Sequence, residues 1–272
     1  MRIGCVKYLN ARPLINGWPG EVEFDHPSAL CQQLANGELD VALVSSFEFL
    51  RNPIYRTVDD ISISSDGPAY SVVVAYCGEF SKVEEIELDP ASQTSVNLLR
   101  CVLAELGLKP RLGSGALGST GCQSVVPGSL PDTGSARLLI GDQAIHFRQK
   151  HAREFGFWDL GEQWKKLTGL PFVYALWLIR PEVTGAKSIA QRLREMRDRN
   201  LGDLDNLITE ALAGVSDGDK RKDLNREFLW RYYRKHLRFN FGEKEKQGLQ
   251  CFADLCAKHR VLRARVRRFT GV

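Results

Sequence analysis

The stretch Gly37-Glu38-Leu39-Asp40-Val41-Ala42-Leu43-Val44-Ser45-Ser46 decides the fold. In it a glycine ends a helical pattern, an acidic residue follows, and an apolar run stops at two serines. A second stretch, Ala136-Arg137-Leu138-Leu139-Ile140-Gly141-Asp142, repeats this plan. Such strands alternating with helical patterns are typical of βαβ units and parallel sheets, whose ligands bind beyond the carboxyl ends of the strands. We therefore expect an α/β fold in which a cleft is faced, one pair from each lobe, by Ser45, Ser46, Gly141 and Asp142.

The same alternation continues on both sides of these stretches. Strands are predicted at 3–6, 41–44, 70–76, 137–140 and 172–179, and helices at 28–37 and 94–107. Beyond residue 183 only helical patterns remain, at 190–201, 204–213, 222–237 and 243–259. They predict a helical layer that packs back on the first domain. The Gly-, Ser- and Pro-rich stretch 113–134 is interpreted as a long surface loop.

Composition indicates an ordinary globular protein, since 43% of the 272 residues are hydrophobic and 26% are charged. The length favours two domains. The net charge of +4 suits an anionic substrate, and the basic run 258–268 is interpreted as a solvated helix face rather than a nucleic-acid or membrane contact. Seven scattered cysteines predict neither a zinc site nor a disulfide framework. With no signal-peptide pattern at the start and no long apolar stretch, we expect a cytoplasmic protein.

The turn after the first strand is the first candidate site. Asn10 offers both a hydrogen-bond donor and an acceptor, and Arg12 has a planar fork suited to a carboxylate. The alternative is a structural turn in which Asn10 caps the next helix and Arg12 makes a surface ion pair. The pattern alone leaves both interpretations open.

Two hydroxyl-rich stretches are further candidates. Ser92, Thr94 and Ser95 open an apolar-periodic helix, where free backbone N–H groups and the helix dipole attract a carboxylate. Simple N-capping is the alternative. Ser71 follows a turn and enters an apolar strand, where a serine is usually structural. No P-loop, nucleophile motif or metal-ligand spacing is present among the sequence motifs, so no cofactor or metal is predicted.

Taken together, these motifs resemble those of the chorismate dehydratases of the futalosine route to menaquinone. The resemblance runs in order from residue 3 to residue 173. The matching segments are Ile3-Gly4-Cys5-Val6-Lys7-Tyr8-Leu9-Asn10, Gly37-Glu38-Leu39-Asp40-Val41-Ala42, Thr94-Ser95-Val96, Leu139-Ile140-Gly141-Asp142, and Trp164 with Thr168-Gly169-Leu170-Pro171-Phe172-Val173.

The resemblance implies a type II periplasmic-binding-protein-like fold, with two lobes, a hinge and an interlobe cleft. Residues 1–86 and 176–272 would form lobe 1, with the C-terminal helical layer, and residues 87–175 would form lobe 2. It further implies a hydro-lyase without a cofactor that converts chorismate to 3-(1-carboxyvinyloxy)benzoate and water. Its partner would be chorismate, a small dicarboxylate, with no nucleic acid or membrane involved.

Residue roles also follow from the resemblance. Asn10 and Ser71 are expected to be catalytic, with Tyr8 and Arg12 in support. Thr94 and Ser95 would hold a substrate carboxylate, while the remaining cleft residues are Ser45, Ser46, Gly141 and Asp142. No histidine base is needed, because the enolpyruvyl carboxylate of the substrate can take the proton while Asn10 orients the reacting groups.

Three alternatives stay open. The related 1,4-dihydroxy-6-naphthoate synthases carry a histidine base where this chain has Leu139-Ile140-Gly141-Asp142. A non-catalytic small-anion binding protein for a transporter would need secretion. A ligand-sensing regulatory module would need a helix-turn-helix domain, and none precedes residue 3.

Overall fold

The computed structural model describes residues 1–89, 92–114, 134–213, 224–262 and 271–272. A first five-stranded sheet is formed by β1 (Ile3–Val6), β2 (Val22–Asp25), β3 (Val41–Ser45), β4 (Arg56–Ser65) and β10 (Phe172–Ile179). The order across this sheet is β2-β1-β3-β10-β4. Strand β1 runs parallel to β2 and β3, whereas β10 runs antiparallel to β3 and β4. The sheet is therefore mixed.

A second five-stranded sheet has the same mixed character. Its strands are β5 (Val72–Tyr76), β6 (Glu85–Leu88), β7 (Arg111–Ser114), β8 (Ser135–Ile140) and β9 (Gly156–Asp159). The order is β7-β6-β8-β5-β9, with β6 parallel to β7 and β8, and β5 antiparallel to β8 and β9. All five predicted strands are present, but the expectation of parallel sheets is wrong for β5 and β10. A continuous apolar run shows that a strand is buried and carries no information on its direction.

Helices cover the connections. They are α1 (Arg12–Ile15), α2 (Pro27–Asn36), α3 (Ser46–Arg51), α4 (Gln93–Glu105), α5 (Gly141–Lys150), α6 (Leu160–Thr168), α7 (Ala186–Gly202), α8 (Leu204–Ala213), α9 (Arg226–Arg231) and α10 (Glu243–Lys258). A single π-helical turn, Tyr232–His236, continues α9. Helix α2 ends as predicted, because Gly37 adopts the left-handed conformation (φ 79°) that closes the last turn.

Each sheet with its helices forms one lobe. Lobe 1 comprises the first sheet with α1–α3 and α7–α10, and lobe 2 comprises the second sheet with α4–α6. Sheet membership changes between Ser65 and Val72 and again between Asp159 and Phe172. The predicted lobe boundaries, at residues 86 and 87 and at residues 175 and 176, stay a prediction.

Asp159 secures the first crossing between the lobes. Its carboxylate accepts hydrogen bonds from the backbone N–H groups of Ala69 (3.0 Å) and Tyr70 (2.8 Å). The same carboxylate caps α6 and lies 3.3 Å from Arg148 Nη1. The guanidinium of Arg148 in turn lies 4.3 Å from the ring centroid of Tyr70, a residue with φ of 67°. Side chains of lobe 2 therefore hold the segment through which the chain passes from lobe 1 into lobe 2.

The C-terminal helices pack on lobe 1, as predicted, and also reach lobe 2. Asn200 of α7 donates hydrogen bonds to the backbone oxygens of Pro13 (3.1 Å) and Asn16 (3.0 Å). From α10, Phe252 meets the rings of Phe172 in lobe 1 and Trp164 in lobe 2. In the described ranges, no helix has the length and apolarity to cross a membrane. Most of the predicted loop 113–134 and the basic run beyond residue 262 lie outside the described residues.

Candidate active site between the lobes

A cavity of about 50 Å³ lies between the lobes, at the carboxyl ends of β1, β3 and β8. Lobe 1 contributes Val6, Tyr8, Asn10, Pro27, Ser45, Ile63, Tyr174, Ala175 and Leu237. Lobe 2 and the crossing segment contribute Ser71, Val72, Ser92, Ser95, Ile140 and Gly141. The polar groups of these described lining residues are hydroxyls and one amide, with no charged side chain among them. The cavity is therefore built to hydrogen-bond its contents.

Asn10 lines this cavity and has an unused hydrogen-bond acceptor. It lies in a short 3-10 turn, Leu9–Ala11, directly after β1. Its Oδ1 atom is buried and has no hydrogen-bond partner among the described residues. Because buried polar atoms are nearly always paired, an orphaned one needs an explanation, and a ligand in the cavity supplies it.

Leu9, the residue before Asn10, is hydrogen-bonded through both its N–H and its carbonyl oxygen. The N–H of Leu9 donates to Asp142 Oδ1 of lobe 2 at 2.9 Å. The carbonyl oxygen of Leu9 accepts from the Tyr233 hydroxyl at 3.0 Å. Two elements distant in sequence thus fix the position of the Asn10 side chain.

Gly141 allows the lobes to approach at Tyr8. A Cβ atom at Gly141 would lie 2.9 Å from two atoms of the Tyr8 ring, so only glycine fits beneath that ring. Gly141 also has a φ of 57°, in the region that favours glycine. Its N–H donates to the Ser71 carbonyl oxygen at 2.8 Å, which links the start of α5 to the crossing segment. The Tyr8 hydroxyl lies 3.4 Å from Nδ1 of His26.

Ser71, in the segment that crosses between the lobes, also lines the cavity and is fully buried. Its Oγ accepts a hydrogen bond of 2.7 Å from the hydroxyl of Tyr232. Burial raises the pKa of Tyr232 well above its ordinary value, although the bond to Ser71 opposes that rise. The phenol therefore stays protonated and remains a donor.

A second hydroxyl cluster joins α4 of lobe 2 to α3 of lobe 1. Thr94 Oγ1 accepts from the backbone N–H of Phe47 at 3.1 Å and shares a short hydrogen bond with Ser45 Oγ. Ser46 Oγ lies 3.4 Å from Thr94 Oγ1 and donates to the Val173 carbonyl oxygen at 2.7 Å. Thr94 and Ser46 are thus satisfied by protein groups and do not line the cavity.

The start of α4 also faces the cavity. Ser92 caps the helix by accepting from the N–H of Ser95 at 3.2 Å, and the two hydroxyls lie 2.9 Å apart. Both residues line the cavity. The positive end of the helix dipole of α4 therefore points toward its contents.

The structure brings most of the predicted site residues together. Six of them line the cavity: Tyr8, Asn10, Ser45, Ser71, Ser95 and Gly141. Asp142, Thr94 and Ser46 lie behind this wall in hydrogen bonds. Arg12 begins α1 and is outside the lining. Sequence reasoning missed Tyr174, Tyr232 and Tyr233, although two adjacent tyrosines inside a basic helical stretch were a usable signal.

No group of three or more His, Cys, Asp or Glu side chains in the described part of the chain is arranged to hold a metal ion. No histidine is among the described lining residues, and His26 lies 3.4 Å from the hydroxyl of the lining residue Tyr8. Hydrogen bonding and orientation are therefore the chemistry that the described lining residues offer.

Comparison with known proteins gives a family and a fold. The sequence model of a family described as menaquinone biosynthesis matches residues 1–258. A chorismate dehydratase of Thermus thermophilus is 29% identical over 93% of this chain and 93% of its own length.

Solved structures with little sequence identity share the architecture. A protein of Archaeoglobus fulgidus superposes with a TM-score of 0.71 at 17% identity, over 96% of this chain and 98% of that one. The alkanesulfonate-binding protein SsuA of Xanthomonas axonopodis pv. citri gives a TM-score of 0.63 at 17% identity, over 98% and 95%. The predicted periplasmic-binding-protein-like α/β fold is thereby confirmed.

Proposed function

This chain belongs to the menaquinone biosynthesis family, and we propose that it is a chorismate dehydratase that converts chorismate to 3-(1-carboxyvinyloxy)benzoate and water. Such an enzyme is a carbon–oxygen lyase of the hydro-lyase type. The likeness to a protein named chorismate dehydratase over almost the whole length of both chains supports this proposal.

The reaction suits a cavity without charged side chains. Dehydration removes one ring proton and the neighbouring hydroxyl, and the gain of aromaticity drives it forward. The substrate's own enolpyruvyl carboxylate can accept the ring proton and pass it to the leaving hydroxyl, which departs as water. The protein then mainly orients the reacting groups and polarises them by hydrogen bonds.

The orphaned Oδ1 atom of Asn10 carries the proposal. An amide at this place can accept from the substrate hydroxyl through Oδ1 and donate to the enolpyruvyl carboxylate through Nδ2. Asn10 would thus hold the two reacting parts of the substrate in a fixed relation. Ser71, which also lines the cavity, would donate a hydrogen bond to the leaving oxygen.

The hydroxyls of Ser92 and Ser95 at the start of α4 are proposed to hold a carboxylate of the substrate, together with Ser45. The helix dipole favours an anion there without a salt bridge. Tyr8 would cover the ring and Gly141 would line the cavity beside it, whereas Asp142, Ser46 and Thr94 would support this arrangement from behind. We place Arg12 at the rim, since it lies outside the cavity lining.

The test is the conversion of chorismate, followed by the change in ultraviolet absorbance on aromatisation and by chromatography of the product. We expect turnover by the wild type and a loss of about a hundredfold in Asn10→Ala, since misplaced reacting groups cost that much. Asn36→Ala, at the exposed end of α2, is the matched control and should keep the wild-type rate.

Near-normal turnover in Asn10→Ala would remove Asn10 from the mechanism. A wild-type protein that binds chorismate in calorimetry without converting it faster than the spontaneous reaction would be a small-anion binding protein instead.

A further inference from the structure

Two adjacent tyrosines of the C-terminal layer reach the cavity walls from behind. The hydroxyl of Tyr232 donates to Ser71 Oγ at 2.7 Å, and that of Tyr233 donates to the Leu9 carbonyl oxygen at 3.0 Å. Both side chains are at least 98% buried. Each hydroxyl therefore contacts one of the two segments that carry the proposed catalytic groups.

The π-helical turn Tyr232–His236 makes this double contact possible. Adjacent side chains on an α-helix point about 100° apart, because the helix has about 3.6 residues per turn. A π-turn has more residues per turn, so adjacent side chains diverge less. Such turns are rare and occur frequently at functional sites. The ring of Tyr232 is fixed from its other side by stacking on Phe228, with centroids 5.7 Å apart.

The hydrogen-bond inventory at Ser71 shows what Tyr232 does. A serine hydroxyl has one proton and two acceptor lone pairs. Tyr232 donates into one lone pair, so the Ser71 proton must point to another acceptor. Among the described residues the Ser71 side chain has no second hydrogen-bond partner, and Ser71 lines the cavity. Its proton is therefore available to an oxygen atom of whatever the cavity holds.

Tyr232 keeps the proton that it donates to Ser71. Burial raises the pKa of Tyr232 well above its ordinary value, and the pKa of Tyr233 is raised by burial as well. Both phenols therefore stay protonated throughout the neutral pH range.

Tyr233 acts on the segment that carries Asn10. Its hydroxyl holds the Leu9 carbonyl oxygen, while Asp142 holds the Leu9 N–H at 2.9 Å. The orientation of Leu9 sets the direction in which the next side chain, Asn10, leaves the backbone. Loss of the Tyr233 bond would free the carbonyl group of Leu9 and broaden the positions of the Asn10 amide.

We infer that Tyr232 and Tyr233 are paired positioning residues, Tyr232 directing the Ser71 hydroxyl as a donor toward the leaving oxygen and Tyr233 fixing the Asn10 amide. This inference rests on the proposed function. Neither tyrosine touches the substrate; each acts through a residue that does.

The test measures kcat and KM for chorismate in Tyr232→Phe, which keeps the ring and its stacking. We expect kcat to fall about tenfold, the size of one neutral hydrogen bond, with KM changed less than twofold. The same substitution in a Ser71→Ala background should cause no further loss, because the two residues act as one unit. In an Asn10→Ala background its effect should persist. Tyr233→Phe should cause no further loss of kcat in an Asn10→Ala background, and its effect should persist in a Ser71→Ala background.

Tyr55→Phe is the matched control, since Tyr55 is buried, accepts a hydrogen bond from Asn52 at 3.4 Å and lies outside the cavity lining.

A fluorinated tyrosine at 232, a more acidic phenol, tests the donor role without loss of the hydroxyl. The kcat of this fluorinated protein should decline at a lower alkaline pH than that of the wild type. Equal losses of kcat in all backgrounds, or unchanged kcat in both phenylalanine variants of an active enzyme, would overturn the inference alone. A wild-type protein that converts no chorismate would overturn the proposed function with it.

Discussion

Replacement of Thr94 by valine separates a role in lobe contact from a role in substrate binding. The sequence pattern and the family resemblance assign Thr94 to a substrate carboxylate. In the structure its hydroxyl accepts from the N–H of Phe47 at 3.1 Å and bonds Ser45 Oγ. Valine has nearly the same shape, so the change removes these hydrogen bonds and leaves the packing in place.

The expected cost follows from the groups left behind. A buried N–H without a partner costs about 1–3 kcal/mol, and the lost hydroxyl pair adds about 1 kcal/mol. We therefore expect Thr94→Val to lower the free energy of unfolding by about 3 kcal/mol. With an unfolding entropy of about 2.1 cal/mol/K per residue over the 272 residues, Tm should fall by about 5 °C.

Differential scanning calorimetry and steady-state kinetics with chorismate together form the assay. Thr94→Ser is the control, because it keeps the hydroxyl and should hold Tm within about 2 °C of the wild type. A Thr94→Val protein with an unchanged Tm and a raised KM would refute the structural reasoning and return Thr94 to the substrate.

Two further predictions concern Gly141 and His236. Gly141→Ala should lose more stability in urea than Gly169→Ala, and it should also lose kcat/KM. Both glycines have a positive φ, but only a Cβ at Gly141 would meet a ring, that of Tyr8, at 2.9 Å. Equal losses of stability in the two variants would contradict this contact. Burial lowers the pKa of His236, so the unfolded chain binds this proton first as pH falls, and stability should drop below about pH 6.5, where the unfolded imidazole titrates. Urea titrations at pH 7.5 and 5.5 should show a smaller difference for His236→Gln, and an identical difference would exclude the histidine as the cause.

The strands and helices that the sequence predicted are those with local signals. Strand β3 is a continuous apolar run, and α2 ends at a glycine that adopts the left-handed conformation. Strand β2 was missed because it lies at the edge of its sheet, where Phe24 is 54% exposed and acidic residues alternate with apolar ones. Edge strands need not be apolar on both faces, so they lack the signal of a buried strand.

Strand β4 was missed for a different reason. Its residues Ser62 and Ser64 are fully buried, yet serines in a sequence suggest an exposed turn. Their hydroxyls donate to the backbone oxygens of Asn240 (2.5 Å) and Arg238 (3.3 Å), in the segment between the π-helical turn and α10. A partner so far along the chain makes such burial possible, and no local pattern reports it.

At the candidate site, the sequence shows which residues follow buried strands, and Asn10, Ser45 and Gly141 do line the cavity. The roles assigned to them stay predictions. The hydrogen bonds of Thr94 could not be predicted, because its partners belong to the other lobe. Tyr232 and Ser71 are 161 positions apart, and only the folded chain shows that they meet.

Hydrogen bonds between the lobes link entry of a substrate to assembly of the proposed catalytic groups. They include Leu9 N–H to Asp142 (2.9 Å), Phe47 N–H to Thr94 (3.1 Å) and Tyr232 to Ser71 (2.7 Å). The cavity of about 50 Å³ is smaller than the roughly 150 Å³ that accommodates benzene, so a ring with two carboxylates enters only if the walls separate.

Separation exposes each of these bonded groups to water, so each bond costs only its net value of about 1 kcal/mol. The same opening releases the Leu9 peptide beside Asn10 and the hydroxyl of Ser71. Closure over the substrate would then restore both groups to their places in one step, so that the proposed catalytic geometry exists only when water is excluded.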